Sequence, residues 1–222
     1  MAHTDSEPNP FSQPPPVIDL PTTETGDVSE IPLSRQYRNL LRQIRQQGLP
    51  VTLIEAYDQF HRMVFGIPTR RMSEITPQLA IGGQHLRRGL RRMRQRNFTA
   101  IVNMRREYDD REGGTVIGRY LYLPTIDNTP PTLEHLDEGA QFIAGEIARG
   151  GKVYVHCWEG VGRAPTMAAA YLVSTGITPD EAWSYIRATR PFIRPTPFQV
   201  AQVEAYAQQY HAQEDAPVTF QR

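Results

Sequence analysis

Cysteine is almost absent: the 222-residue chain has one, Cys157. A single thiol excludes a disulfide scaffold and any zinc or iron–sulfur site built on several cysteines, and it suits a reducing, cytoplasmic setting. Lysine is nearly absent too, Lys152 being the one lysine among 24 basic residues. No uncharged apolar run approaches the roughly 18–20 residues of a membrane-spanning helix. The start of the chain shows no basic segment followed by an apolar one, so no secretory signal is expected. His3, His61, His85, His135 and His211 show no ligand spacing. No metal and no other cofactor is therefore expected.

What is present is an ordinary globular composition, 39% apolar and 22% charged, in a length that suits one domain with appendages. The zero net charge hides a segregated distribution. Residues 1–33 hold six acids, no lysine or arginine, and seven of the 19 prolines. That is the composition of a disordered acidic tail, since it offers too little apolar surface to offset ordering entropy. Residues 34–71 carry seven arginines against Glu55 and Asp58, and residues 72–106 carry eight against Glu74. Over 107–150 the balance reverses, with nine acids to three bases.

Apolar spacing places the elements. Tyr37, Leu40, Leu41 and Ile44 share one helical face, with Arg35, Arg38, Arg42 and Arg45 on the others, and Gly48-Leu49-Pro50 closes the stretch. A second helix is predicted over Val51–Phe65, with Leu53, Ile54, Tyr57, Phe60 and Val64 as its apolar positions. The pair is expected to pack on the following domain or on a second copy. A basic amphipathic helix over 34–47 would also suit an anionic membrane surface. The division is thus a tail at 1–33, a basic helical extension at 34–72, a main domain at 73–211 and a short tail at 212–222.

Within the main domain, strands are predicted at Leu79–Ile81, running into a Gly82-Gly83 turn, and at Phe98–Asn103, Gly118–Leu123 and Lys152–His156. Helices are predicted at Leu86–Arg96, Thr132–Arg149, Ala164–Thr175, Pro179–Thr189 and Pro197–His211. This alternation predicts an α/β fold with a mostly parallel central sheet flanked by helices, plus the N-terminal helical extension. The Arg87–Arg96 cluster reads as a solvated helix face. It has no interleaved aromatics to stack bases, so no nucleic-acid partner is expected.

The informative segment is Gly151–Thr166. A hydrophobic strand ends at Cys157, a glycine-containing loop follows, and Arg163 stands at the mouth of a helix. Successive N–H groups in such a loop converge on an anion, and the helix N-terminus adds partial positive charge. Gly160 and Gly162 permit close backbone approach, and Arg163 can fork two oxygens. A thiol in that field is favoured as the thiolate. Cys157 is therefore a nucleophile beneath a cradle for a tetrahedral anion.

His156-Cys157-Trp158-Glu159-Gly160-Val161-Gly162-Arg163 resembles the active-site loop of the cysteine-dependent protein phosphatases, and more narrowly of their dual-specificity branch. The likeness covers about residues 73–211, including Ile75–Gly83 and Ala188–Pro195, and none of residues 1–72. It implies a thiophosphate intermediate on Cys157, with Trp158–Arg163 as the phosphate-binding loop and His156 as a supporting group. It also implies a general acid. Asp127, 30 residues before Cys157 in a loop rich in proline, is expected to fill that role. Asp109 and Asp110 are expected to be solvated loop charges. Asn128, Arg105, Arg106 and Arg194 are candidate rim residues.

Two departures from the family pattern matter. Ala164 stands where the family usually places Ser or Thr, a hydroxyl that assists hydrolysis of the intermediate. Glu159 puts an acid in the loop, which disfavours polyanions. No counterpart exists of the loop that deepens the pocket of tyrosine-only phosphatases. The resemblance then implies a shallow pocket open to phosphoserine, phosphothreonine and phosphotyrosine in a protein substrate. A phospholipid or small-ester phosphatase, and a slow phospho-binding module, remain as alternatives.

Overall fold

The computed structural model describes residues 47–214 together with 41, 44 and 45, the side chains of 211–214 excepted. The tail expected at 1–33, most of the helix expected at 34–47 and most of the C-terminal tail lie outside the described residues.

Strands β1 (Leu79–Gly82), β2 (Ala100–Arg105), β3 (Arg119–Thr125) and β4 (Val153–His156) form one sheet in the order β1-β4-β2-β3. Every pairing is parallel, so each return must cross the sheet; helices make the crossings from β1 to β2 and from β3 to β4, and an irregular loop over 106–118 joins β2 to β3. β4 is a central strand: Gly82 of β1 and Asn103 of β2 both register opposite His156. The chain therefore leaves the sheet at its carboxyl edge directly into Cys157, the edge where open α/β sheets bind ligands.

Alternation along the strands sorts the core onto two faces. Leu79, Ile81, Val102, Met104, Val153 and Val155 face four helices, α3 (Leu133–Ala148), α4 (Arg163–Ser174), α5 (Pro179–Thr189) and α6 (Pro197–Glu214). α4 is buried from Arg163 through Val173, which explains why its sequence is apolar all round rather than striped. Ala80, Ile101 and Tyr154 face the other way, onto Ile67, Met93, Phe98 and Ile117.

The predicted helix over Leu86–Arg96 is shorter than expected. A 3-10 turn at Arg87–Gly89 leads into α2 (Leu90–Gln95), and Leu86 is extended. Gly89 is pressed against Gly66, where an added Cβ would meet the Gly66 oxygen at 2.3 Å. Arg96, expected on a solvated face, is buried and donates to Glu74 and to the Pro68 carbonyl. The second strand runs two residues later than expected because the sheet partners, not the apolar run, set its ends.

Helix α1 (Leu49–Phe65) starts at the Gly48-Leu49-Pro50 break and ends on Gly66, which is left-handed at φ 77° with its N–H on the Arg62 carbonyl. The described residues from 44 onward belong to one compact unit, so α1 is part of the same body as the sheet. Its orientation reverses the expectation. Leu53, Tyr57, Phe60 and Val64 are exposed, whereas the buried positions are Thr52, Glu55 and Asp58. Charge pairing outweighs apolar burial here. Asp58 accepts Arg190 Nη1 at 2.9 Å and the Thr69 amide at 3.1 Å, with both members of the ion pair fully buried. Glu55 takes both Nη atoms of Arg194, at 2.7 and 2.8 Å.

Removing one member of a buried pair strands the other charge, which costs about 3–5 kcal/mol. Asp58→Ala is expected to destabilise the chain by about that amount in urea denaturation. A loss under about 1 kcal/mol, the range of an exposed pair, would show that the Asp58–Arg190 pair does not hold α1.

Candidate active site

The loop after β4 is held by its carbonyls. Arg190 Nε donates to the Gly160 oxygen at 2.8 Å and Nη2 to the Glu159 oxygen at 3.0 Å. The Arg194 amide donates to the Val161 oxygen at 2.7 Å. Peptide planarity then turns the N–H groups of Gly160, Val161 and Gly162 to the opposite side. The Gly160 N–H duly meets Cys157 Sγ at 3.3 Å. Gly160 is left-handed at φ 75°, and a Cβ there would lie 2.2 Å from the Gly82 carbonyl carbon, so only glycine fits. Gly162 caps α4, whose N-terminus adds its partial positive charge to the loop.

Cys157 is 3% exposed. Arg163, at the start of α4, is equally buried and carries much of the site's charge. Its Nη1 donates to Glu107 Oε2 at 2.9 Å and to the Thr125 oxygen at 2.8 Å. Its Nη2 reaches Glu107 Oε1 at 3.1 Å and Asp127 Oδ1 at 3.0 Å. Arg163 Nε is buried without a hydrogen-bond partner among the described residues. Burial lowers the guanidinium pKa, but Glu107 and the charges of Cys157 and Asp127 outweigh it and hold it above the ordinary arginine value. For Glu107 burial acts the other way, yet hydrogen bonds from Arg163, its own backbone and Arg105 bring it down to about 2.

A mouth of about 250 Å³ opens over Cys157, lined by Asp127, Asn128, Trp158, Glu159, Val161, Gly162, Arg194 and Gln199. Asp127 stands on the loop after β3 with 64% of its side chain exposed, and Asn128 beside it is left-handed at φ 61°. Asn128 and Arg194 thus lie at the mouth. Arg105 does not: it is buried, bonded to Gln84 and Glu107, and lies 4.6 Å under the Trp158 ring. Arg106 opens on a separate groove with Pro124, Ile126 and His135. Burial raises the Glu159 carboxyl, with Arg194 at 3.8 Å pulling it back. Ala164 is fully buried. No hydroxyl bonds Cys157 Sγ among the described residues.

Behind the loop lies a buried polar network. His156 Nε2 donates to Asp110 Oδ2 at 2.7 Å, and its Nδ1 lies 3.4 Å from the Cys157 oxygen. Asp110, expected to be a solvated loop charge, is fully buried and also accepts Gln84 Nε2 at 2.7 Å. His85 stands edge-on to His156 and donates to the Thr115 oxygen at 2.7 Å. Burial, then the neighbouring His156, pushes His85 down to about 4, so it is neutral at pH 7. His85, Asp110 and His156 bring ligand-type atoms within 4.8 Å of one another, a cluster that spacing along the chain does not reveal. A cation there would have to break the His156–Asp110 bond.

A family described as dual specificity phosphatase, catalytic domain, matches residues 81–209. The chain belongs to the dual specificity phosphatase family. Among its relatives, rat dual specificity protein phosphatase 5 is 33% identical over 160 residues, covering 71% of this chain and 38% of that one. Human phosphatidylglycerophosphatase and protein-tyrosine phosphatase 1 is 33% identical over 156 residues, covering 66% of this chain and 78% of that one. The chain therefore spans well under half of the first relative. The crystal structure of PTPMT1 in complex with PI(5)P superposes with a TM-score of 0.58 at 28% identity, over 63% of this chain and 96% of that one.

The sequence alone does not single out Glu107, Asp110, Arg190 or Gln199. Only Arg190 carried a signal, as the arginine of Thr189-Arg190-Pro191 within the resembling segment. The Asp110 carboxyl is strongly shifted by its surroundings. Burial opposes its ionisation, but His156 and Gln84 hold it at about 2 against an ordinary 3.8. A depressed carboxylate stabilises the fold above its ordinary value, and that stabilisation is lost as pH falls from near 4 through 2. Asp110→Asn is expected to cost about 2 kcal/mol at pH 7 and to flatten the acid limb of the stability profile. An unchanged acid limb in pH-dependent denaturation would rule out an ionised Asp110 as the anchor of His156.

Proposed function

We propose that the chain is a cysteine-dependent phosphomonoesterase acting on phosphoserine, phosphothreonine and phosphotyrosine in proteins, in a reducing, cytoplasmic setting. One observation carries the reading: Arg163 Nη2 is 3.0 Å from Asp127 Oδ1 at the mouth where Gly160 N–H meets Cys157 Sγ at 3.3 Å. Cys157 and Asp127 line one opening, and Arg163 lies buried behind Asp127, which supports nucleophile, acid and anion clamp acting on one ligand.

In the first step Cys157 Sγ attacks phosphorus, the S–P bond forms and the P–O ester bond breaks. The departing alkoxide takes its proton from Asp127, because an unprotonated alkoxide leaves poorly. In the second step water attacks phosphorus, Asp127 accepts its proton and the S–P bond breaks, releasing inorganic phosphate. The loop N–H groups and Arg163 hold the equatorial oxygens throughout, the phosphate taking the Nη2 position that Asp127 holds, so that the Asp127 carboxyl is released to carry its proton. The rim supports a singly phosphorylated ligand: Arg194 is already matched by Glu55, and Glu159 faces it. A phosphate monoester on a lipid headgroup is the second reading, favoured by the outward apolar face of α1.

The test is hydrolysis of p-nitrophenyl phosphate without added metal. Wild type is expected to turn over and Cys157→Ser to be inert. Asp127→Ala is expected to be impaired by less than the roughly 10²–10⁴-fold that a general acid contributes with poor leaving groups. Wild type that binds vanadate yet releases no phenolate would make this a binding module. The missing hydroxyl at 164 gives a second expectation: a pre-steady-state burst of p-nitrophenolate in wild type, with a higher kcat and a smaller burst in Ala164→Ser. Equal kcat in the two proteins would place the slow step elsewhere.

A further inference from the structure

We propose that the exposed face of α1 docks the protein on an anionic lipid bilayer. Leu49, Leu53, Tyr57, Phe60 and Val64 recur at steps of four, four, three and four residues, which places them on one face of the helix. Together with Met63 they are 46–65% exposed. The ridge runs about 22 Å at 1.5 Å per residue. Apolar side chains so concentrated on the outside of a globular chain mark an interaction surface.

Charge selects the occupant. α1 has two acids, Glu55 and Asp58, and both are turned inward and paired with Arg194 and Arg190. Its outer face therefore carries no negative charge. Along its flank, Tyr57 and Phe65 share a groove with Arg70, Arg71 and Arg92, and the Arg92 guanidinium lies 4.7 Å over the Phe65 ring. Arg87, Arg88, Arg91 and Arg94 are exposed as well. Glu74 is the single acid between residues 59 and 106, and it is paired with Arg70, Arg96 and Lys152. A convex apolar ridge bordered by aromatic rings and arginines matches the acyl boundary and headgroups of an anionic membrane. A helical peptide partner would instead lie in a groove, and the one beside the ridge takes only Tyr57 of the ridge's apolar side chains, leaving Leu49, Leu53, Phe60 and Val64 outside it.

Position adds a consequence. The inner side of α1 touches the catalytic loop, Gln59 Nε2 donating to the Glu159 oxygen at 3.3 Å. Docking through the outer side holds the Glu159 end of that loop about one helix diameter, roughly 10 Å, from the lipid surface. Phosphate esters at a membrane surface, on lipid or on membrane-bound protein, then come within reach.

The experiment is co-sedimentation of the full chain with vesicles of phosphatidylcholine alone and with about 30% phosphatidylglycerol. Binding to the anionic vesicles is expected to exceed binding to the neutral ones by about tenfold or more and to fall in high salt. The double variant Leu53→Glu/Phe60→Glu is expected to lose at least about tenfold of it. Both side chains are outside the Cys157 mouth, so p-nitrophenyl phosphate turnover is expected to be unchanged. That turnover separates failure of docking from failure of the hydrolytic reading. A double variant that binds like wild type overturns the inference. Wild type that ignores both vesicles overturns it as well, whether light scattering then shows a dimer closed on this face or an acidic peptide proves to be the ligand.

Discussion

Arg190 is the constraint on which the active loop depends. It is a fully buried guanidinium that ties Asp58 of α1, the Met72 carbonyl and the carbonyls of Glu159 and Gly160 to one point. A buried charge is tolerated only where its donors are met and its charge is countered. The loop supplies acceptors and α1 supplies the counter-charge. Because those carbonyls are drawn down to Arg190, the N–H ends of the same peptides are presented upward, around Cys157. The anion cradle is thus the reverse side of a buried arginine site.

A second arginine completes the arrangement from the other direction. Arg163 is held by Glu107 and shares Asp127, so under the proposed reading the group that grips the anion also positions the acid. Arg105 and Glu107 link this centre to Gln84 and, through Gln84, to Asp110 and His156. One chain of charge-assisted hydrogen bonds therefore runs from the mouth to the floor of the loop. Such networks are stiff when every member is bonded, and stiffness is what an anion site needs in order to act without rearranging.

α1 shows the same electrostatics reshaping the surface. Its polar residues are spent inside, on Arg190 and Arg194, so its apolar residues are left outside. A helix read by hydropathy alone is expected the other way round, because transfer of leucine and phenylalanine from water ordinarily dominates. Here the buried Arg190 and the half-buried Arg194 near the loop demand carboxylates, and an uncompensated buried charge costs more than a few apolar side chains gain.

The strand, loop and helix around Cys157 were legible because their signal is local. A strand, a loop with two glycines and a helix with Arg163 at its start follow one another along the chain, and the physics of strand ends and helix N-termini acts over those neighbours. The α/β alternation was legible for the same reason, since period and turn residues are properties of short windows. What only the tertiary structure decided are the partners. His156 finds Asp110 across 46 residues, Arg163 finds Glu107 across 56, Arg190 finds Asp58 across 132 and Arg194 finds Glu55 across 139. A carboxylate in a polar stretch reads as solvated until the fold brings a buried cation to it. Asp110, Asp58 and the direction in which α1 faces were all settled there, by the cost of leaving a charge unpaired away from water.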